Sequence, residues 1–248
     1  ANYLTNSNGF GAQFGYPISD ITRLGFNITY DKTDIDVGSL PAREIYDFVS
    51  AEGNIFETLS AQLSWQRVTL NRGLFPTDGA STVLSFSSTI PGSDLSYYRL
   101  NVRQRYYQPL TQNLVFGFQG ELGYLNAYGD TEETPFFQNF YAGGPRSLRG
   151  FESNTLGPRS TDAPCYEFNY AEGTCPNLLD IDGDGELDTP YYNPYANQTS
   201  RYRDAPIGGN IKIEGSLQLI FKLPFIEDQR SLRSVSYTHL TLPTISCV

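Results

Sequence analysis

The sequence contains no methionine, one histidine, one tryptophan and three cysteines in 248 residues. It also lacks any apolar run close to the roughly 18 residues that a membrane-spanning helix needs. If the chain spans a membrane, it must therefore do so as a β-barrel, the other architecture that satisfies every backbone hydrogen bond within a bilayer. Because no methionine starts the sequence, we expect it to be part of a longer reading frame.

The scarcity of histidine and of basic residues excludes two classes of function. The single imidazole, His239, lies near the carboxyl end, so the sequence offers no Ser-His or Cys-His pair and no imidazole cluster for a metal. Lys and Arg number 17 against 27 Asp and Glu, and the net charge of −10 argues against nucleic-acid binding. We therefore expect a protein that is not an enzyme and does not bind nucleic acid.

Strand periodicity is the dominant signal that the sequence does contain. Apolar and polar residues alternate over long stretches that turns separate, so that Leu100 and Val102, for example, lie opposite Asn101 and Arg103. The alternating stretches are 10–18, 23–30, 59–66, 81–90, 98–106, 114–124 and 211–223, with a short strand at 137–142. The pattern predicts an all-β, antiparallel protein of about eight strands.

The alternation alone fits both a soluble sandwich, which buries its apolar face, and a membrane barrel, which turns that face to lipid. The strands run longer than the ~5–6 residues usual in soluble sheets. Aromatic residues also crowd the strand ends, as in interfacial girdles. The polar face carries charges over many strands, as a water-filled interior allows: Arg99, Arg103, Arg105, Glu121, Lys212 and Glu214. We predict a transmembrane antiparallel β-barrel.

Two segments, 31–57 and 143–209, interrupt the strand pattern. The first contains a candidate helix at 41–49, in which Ile45, Phe48 and Val49 share a face that would pack on the rim of the barrel. The second is the longest region without strand periodicity. Short turns on one rim and long loops on the other are typical of outer-membrane barrels, so 143–209 is predicted to be a long extracellular loop.

The last residues, 235–248, differ in character from the rest of the chain. Residues 236–245 resemble translated sequencing-adapter sequence, and Pro243 disfavours a central strand there. We therefore expect one barrel domain over residues 1–234, followed by a non-native tail. His239 and Cys247 lie in this tail and are excluded from any chemistry.

The long loop opens with a glycine-rich stretch, 141–154, around one cation. Its motif is Leu148, Arg149, Gly150 and Phe151, a guanidinium between apolar neighbours. A guanidinium stays charged at physiological pH and, if it is buried, needs a carboxylate partner. From spacing alone, the stretch is interpreted as a glycine-rich turn with a solvated arginine.

Four strings, in order, resemble the BamA family of outer-membrane β-barrel assembly factors. They are NRGLFPTDG at 71–79, TIPGSD at 89–94, the segment 140–158 around the arginine motif, and the segment 208–225. The resemblance implies a barrel of roughly sixteen strands, within the known range, of which this chain supplies a central part. The periplasmic POTRA domains and the terminal strands of the family would then lie outside the chain.

The resemblance also implies a function and a location. Members of this family fold and insert nascent outer-membrane proteins in the bacterial outer membrane, and they use no nucleotide. The implied partners are those nascent proteins, the accessory lipoproteins of the assembly machine, and outer-membrane lipid or lipopolysaccharide.

A role for Arg149 follows from the same resemblance. In the family, the matching arginine reaches into the barrel interior and pairs with carboxylates of the wall, which anchors the loop. One of these wall positions is Gln218 in this sequence, and Glu214, which faces the same side, is the substitute partner. The motif 148–151 is therefore predicted to anchor the loop, with Glu214 and Gln218 as candidate partners of Arg149.

Two cysteines of the long loop, Cys165 and Cys175, lie close together in sequence. In the oxidising compartment expected for this protein, a structural disulfide is favoured over two free thiols. Members of the family commonly carry a comparable pair in this loop.

An acidic string in the same loop matches the spacing of a calcium-binding loop, with a glycine at its sixth position. Its carboxylates belong to Asp180, Asp182, Asp184, Glu186 and Asp188. Tyr191 stands where such loops place a bidentate glutamate, and no flanking helices are evident. A Ca²⁺ site and a solvated acidic loop are therefore both open, and no other cofactor is expected.

Two other functions fit parts of the sequence. A two-partner secretion pore or a small porin would share the arginine motif, although the strings at 71–79 and 89–94 favour the assembly factor. A soluble, calcium-stabilised β-domain would account for the alternation and for the acidic string.

Overall fold

The computed structural model describes residues 3–37, 43–145, 147–159, 206–221 and 234–245. These residues form one antiparallel sheet whose eight strands follow one another in chain order. The strands are β1 (Tyr3–Ser19), β2 (Thr22–Val37), β3 (Ile55–Val68), β4 (Gly79–Thr89), β5 (Tyr97–Thr111), β6 (Leu114–Ala127), β7 (Ile211–Phe221) and β8 (Ser234–Ile245). Helix α1 (Arg43–Glu52) and the 3-10 helix η1 (Phe136–Gln138) accompany the sheet. None of the described helices is long and apolar enough to cross a bilayer.

The strand register keeps each face of the sheet uniform. One row of laterally paired residues crosses seven strands through Phe14, Phe26, Leu63, Phe86, Leu100, Tyr124 and Ile211. The adjacent row crosses the same strands through Gly15, Gly25, Ser64, Ser85, Asn101, Gly123 and Lys212. We name the apolar side the outer face and the polar side the inner face. Outer residues remain open to the surroundings, as Phe14 (64% exposed) and Leu63 (54%) illustrate.

The connections divide between two rims. The short-turn rim carries the connections 20–21, 69–78 and 112–113, and the long-loop rim carries 38–54, 90–96 and 128–210. The strands are longer than those of most soluble sheets, from 11 residues in β4 to 17 in β1.

A cluster of apolar side chains covers the inner face at the long-loop rim, and we name it the cap. It contains Ile35, Ile45, Phe48, Phe56, Leu95, Phe136 and Ile207. The ring of Phe48 meets Phe136 edge to face at 5.4 Å. The rim helix predicted at 41–49 is confirmed as α1, with Ile45 and Phe48 buried and Val49 packed against them. Gly53, at φ +98°, ends the helix and donates its N–H to the Val49 carbonyl (2.9 Å).

The cap explains two differences from the predicted strands. Residues 31–37 and 55–57, expected to interrupt the strand pattern, continue β2 and β3. Their inner positions turn apolar, at Ile35 and Phe56, because these two side chains are part of the cap. In β2 the outer positions Asp34 and Asp36 are charged, so the alternation is reversed at this end, and in β3 the consecutive apolar residues Ile55 and Phe56 interrupt it.

The short strand predicted at 137–142 is wrong. Residues 136–138 form η1, in which the Gln138 N–H donates to the Pro135 carbonyl (2.9 Å). Phe140 and Ala142 make only isolated bridges, to Gly209 and Leu156. The segment consequently crosses the inner face as an irregular chain.

The eighth described strand lies instead in the predicted tail. Strand β8 pairs antiparallel with β7, with a register shift between Ile211 and Ile213. Pro243 belongs to β8, the last strand of the described sheet. A proline is tolerated in an outermost strand, where one row of N–H groups makes no ladder bonds. The non-native origin of 235–248 stays a prediction.

Candidate functional site

The long loop enters the sheet interior at Phe140, which is 3% exposed. Its backbone exchanges two hydrogen bonds with Gly209, at 2.9 and 3.0 Å. The guanidinium of Arg99 lies 4.2 Å from the centre of the Phe140 ring, which is a cation–π contact. The ring rests against Gly123, where a Cβ would lie 2.7 Å from it. Glycine at 123 therefore makes the space that Phe140 fills.

Tyr141, the next residue, is partly buried and connects the loop with β1. Burial, and then the neighbouring Tyr3 hydroxyl, raise the pKa of Tyr141 well above its ordinary value. A side-chain hydrogen bond joins the two tyrosines, so this contact ties the start of the long loop to β1.

A tight turn follows, at Gly143 and Gly144. Their φ angles are +105° and +100°, and a Cβ on Gly143 would lie 2.5 Å from the Glu152 carbonyl oxygen. Glycine adopts this conformation without steric cost. The N–H of Gly144 donates to the Leu148 carbonyl (3.1 Å), and the N–H of Ser147 donates to the Gly144 carbonyl (3.1 Å). This turn buries Leu148, which is 1% exposed.

Ser147 joins the loop to the wall of the sheet. Its hydroxyl donates to Oε2 of Glu214 on β7 (2.5 Å) and accepts the Gly143 N–H (3.1 Å). The loop is thus held by a hydrogen bond to a charged acceptor, which is stronger than one between neutral groups.

Lys212 balances the charges of the wall. Glu121 on β6 and Glu214 on β7 are direct cross-strand partners, a placement that is destabilising for like charges. The ammonium of Lys212 lies 3.3 Å from Oε2 of Glu121 and 3.2 Å from Oε2 of Glu214. Arg103 and Asn101 donate to the other Glu121 oxygen, at 3.3 and 2.8 Å. We name Ser147, Glu214, Lys212 and Glu121 the wall network.

Arg149 lies beside this network. A cavity of about 730 Å³ is lined by Arg149, Glu214 and Gln218 among other residues, so the three residues predicted to interact are brought to one place. The Arg149 side chain is exposed, and within the motif Leu148 is buried while Phe151 is 52% exposed. Which of Glu214 and Gln218 pairs with Arg149 stays a prediction.

The remaining predicted sites lie outside the described residues. They are the cysteine pair Cys165 and Cys175 and the acidic string Asp180, Asp182, Asp184, Glu186 and Asp188. The disulfide and the Ca²⁺ site therefore stay predictions.

Sequence reasoning missed the roles of four residues in the site. Ser147 carried no signal, because a serine in a glycine-rich turn is ordinary. Lys212 and Glu121 were placed on the polar face, but their pairing requires the β6–β7 register, which the sequence does not reveal. Gly123 stood out only as a small inner residue.

Comparisons with known proteins give the family. The sequence profile of the Omp85 superfamily domain matches residues 1–240. The outer membrane protein assembly factor BamA of Neisseria meningitidis serogroup B is 27% identical over 239 residues, which cover 93% of this chain and 25% of that protein. The crystal structure of Haemophilus ducreyi BamA lacking POTRA domains 1–3 superposes with a TM-score of 0.74 at 25% identity, covering 98% of this chain and 43% of that one. The chain thus spans about a quarter of the Neisseria relative.

These matches confirm the resemblance to BamA and the antiparallel β-barrel fold that the sequence predicted. The predicted outer-membrane location is confirmed at the level of the family. The chain belongs to the Omp85 superfamily.

Proposed function

We propose that the chain is the central part of an outer-membrane protein assembly factor, which folds and inserts nascent β-barrel proteins without nucleotide. The named function of the Neisseria relative supports this proposal. Nascent outer-membrane proteins are the proposed substrates, with accessory lipoproteins and outer-membrane lipid or lipopolysaccharide as further partners. The protein acts by strand pairing and burial rather than by enzymatic chemistry, since exposed strand edges template the pairing of another chain.

The observation that carries the proposal is the attachment of the loop to the inner wall. Ser147 bonds to Glu214, and Lys212 ties Glu214 to Glu121 across two strands. We infer that this attachment holds the loop in the conformation that insertion requires. In the proposed mechanism, Arg149, which lines the neighbouring cavity, attaches the same loop to the wall a second time.

The test uses the full-length protein in phospholipid vesicles and follows the folding of a denatured outer-membrane protein by its heat-modifiable gel migration. Ser147→Ala removes a hydrogen bond to a charged acceptor, which contributes on the order of 1.5–3 kcal/mol. We expect insertion to slow several-fold. Glu152→Gln, at an exposed position of the same loop, is the control and should insert at the normal rate.

The double variant Ser147→Ala with Lys212→Met should insert more slowly than either single variant. Normal insertion by the double variant would contradict the role of the wall network. A requirement for added nucleotide would contradict the proposed mechanism.

A secretion pore is the competing function. The cap distinguishes the two functions because it covers the inner face, along which a pore would run. The aromatic residues Phe48, Phe56 and Phe136 cover the inner face at the long-loop rim. We expect the full-length protein to show little steady conductance in planar bilayers and Phe48→Ala to raise it. Large, steady conductance of the unmodified protein would favour the pore.

A further inference from the structure

The long loop leaves and rejoins the inner face at one place, where its two legs run side by side. We name these legs the root of the loop: residues 139–140 and 207–210. Phe140 and Gly209 pair through their backbones, one from each leg. The side-chain amide of Asn139 donates to the Ile207 carbonyl (3.2 Å), again between the legs. A shift of Phe140 would therefore move both legs together.

The root is packed closely and is joined to the wall of the sheet. Gly208 has a φ of +76°, and a Cβ on it would lie 2.8 Å from the Phe140 carbonyl oxygen. The Asn210 carbonyl accepts the Leu125 N–H of β6 (2.7 Å). The backbone of the returning leg is thus bound on one side to the outgoing leg and on the other to a strand.

Arg99, on the inner face of β5, brings a positive charge to this root. Its guanidinium lies 4.2 Å from the centre of the Phe140 ring, and its Nε is buried without a hydrogen-bond partner. Arg99 forms no ion pair with a described carboxylate, and Glu121 pairs instead with Arg103 and Lys212. A guanidinium that is withdrawn from water needs a compensating partner. The negative face of the Phe140 ring is that partner.

Two different effects can hold the Phe140 ring in place. One is the fit of the ring into the space that Gly123 leaves open, since a Cβ there would lie 2.7 Å from it. The other is the attraction of the Arg99 charge. The fit depends on the size of the ring, whereas the attraction depends on the electron density of its face. Experiment can therefore separate the two effects.

The contact at the root is distinct from the wall network. The wall network holds the loop further along the chain, through the hydrogen bond from Ser147 to Glu214. Arg99 and Phe140 are not members of it. The described part of the long loop is consequently attached at two levels, one through a cation and a ring and one through a hydroxyl and a carboxylate.

We propose that Arg99 is a positioning residue of the long loop. Its guanidinium holds the ring of Phe140 in place, and Phe140 in turn determines where both legs of the loop leave the inner face. Loss of the Arg99 charge should therefore loosen the root even where the space beside Gly123 is still filled. That a loosened root slows insertion is a further consequence, and this step rests on the proposed function.

The test replaces Phe140 in the full-length protein by phenylalanine analogues that carry one, two or three ring fluorines and are introduced at an amber codon. Each fluorine withdraws electron density from the ring face and weakens its attraction for a cation. The measurement is hydrogen exchange, by mass spectrometry in phospholipid vesicles, of the Phe140 and Gly209 amides that donate across the root (2.9 and 3.0 Å). The same series in an Arg99→Met background is the matched control, because it repeats the steric effects of fluorine without the cation.

The protection factors of the two amides should fall in steps with the number of fluorines, by roughly fivefold to thirtyfold with three. The stepwise loss should disappear in the Arg99→Met background and persist in Arg99→Lys, which keeps a cation. If Arg99→Met fails to fold, the neutral Arg99→Gln serves as the background. Equal effects of fluorine with and without the charge at position 99 would overturn the proposal, and so would protection that does not change with fluorination.

The insertion rates of the same proteins separate this inference from the proposed function. Insertion should slow as protection is lost. Normal insertion in spite of lost protection would overturn the consequence drawn for insertion. Failure of the unmodified protein to insert any outer-membrane protein would contradict the proposed function, and hydrogen exchange at the root would still decide the role of Arg99.

Discussion

Among single residues, Lys212 has the largest electrostatic effect on the site because its ammonium lies between two carboxylates and is buried. Glu121 and Glu214 would otherwise oppose each other directly across β6 and β7. Removing one member of a buried ion pair costs about 3–5 kcal/mol, whereas an exposed pair contributes about 0–1 kcal/mol. The wall network is therefore more sensitive to substitution than the ion pairs on the surface.

Lys212→Met in the full-length protein should accordingly lower the free energy of unfolding by about 3 kcal/mol or more, because it leaves the two carboxylates facing each other. Lys32→Met is the matched control, since Lys32 pairs with Glu57 at 2.8 Å but is 53% exposed. It should change stability by less than about 1 kcal/mol. Urea unfolding in lipid vesicles measures the free energy of unfolding of both variants. Equal effects of the two substitutions would contradict the larger electrostatic role of Lys212.

Gly123 is a single residue whose effect on the site is steric, whereas that of Lys212 is electrostatic. A methyl group there would lie 2.7 Å from the Phe140 ring and would push that ring away from Arg99. Gly123→Ala should therefore lower stability by about 1–3 kcal/mol, the usual cost of overpacking. Gly15→Ala is the control, because Gly15 lies in the same row of the sheet and a Cβ at that position would meet no atom within 4 Å. A similar loss in both variants, measured by urea unfolding, would point to strand propensity instead.

At the scale of elements, the cap joins α1 to the connection between β6 and β7, and both carry acids. The Glu132 N–H donates to the carboxylate of Glu52 (3.1 Å). Partial burial, and then the negative charges of Asp47, Glu52, Glu132 and Glu44, raise the pKa of Glu133. Folding of the cap therefore favours the protonated form of Glu133.

The sign of the pH dependence follows from that shift. An acid whose pKa is raised by folding stabilises the folded state below its ordinary pKa and loses this contribution as the pH rises through the raised value. Hydrogen-exchange protection factors of α1 should thus be higher near pH 4 than near pH 7, where ordinary Glu is ionised with a pKa of about 4.3. Glu133→Gln should weaken this dependence, whereas Glu152→Gln, in the exposed loop, should leave it unchanged.

The strands and helix α1 also show which features of the fold could be predicted from the sequence. The period of two placed Leu63 and Phe86 on one face and Ser64 and Ser85 on the other, because strand geometry alone determines alternation. Helix α1 was predictable from Ile45 and Phe48 for the same local reason. Contacts between distant segments were not predictable. The Lys212 and Glu121 pairing depends on register, which tertiary packing fixes across the long connection between β6 and β7.

For the whole molecule, the outer face is apolar and the inner face is polar, which is the reverse of a soluble protein. This arrangement determines which solvent the protein tolerates. The row through Phe14, Phe26, Leu63, Phe86 and Leu100 leaves each of these side chains between 36% and 64% exposed. Monomeric soluble proteins rarely expose contiguous apolar patches beyond a few hundred Å². Bilayer or detergent must therefore cover this face.

The chain should accordingly remain monodisperse in detergent micelles and associate when detergent is removed, which sedimentation velocity measures directly. Association should involve the outer face, because Leu63 and Phe86 lie in the middle of the apolar row. Replacing both by serine should increase the fraction that stays monomeric without detergent, whereas replacing Ser64 and Ser85 of the inner face by alanine should not. A monodisperse monomer in plain buffer that binds no hydrophobic dye would mean that the apolar side is buried, and the membrane barrel would then be the wrong architecture.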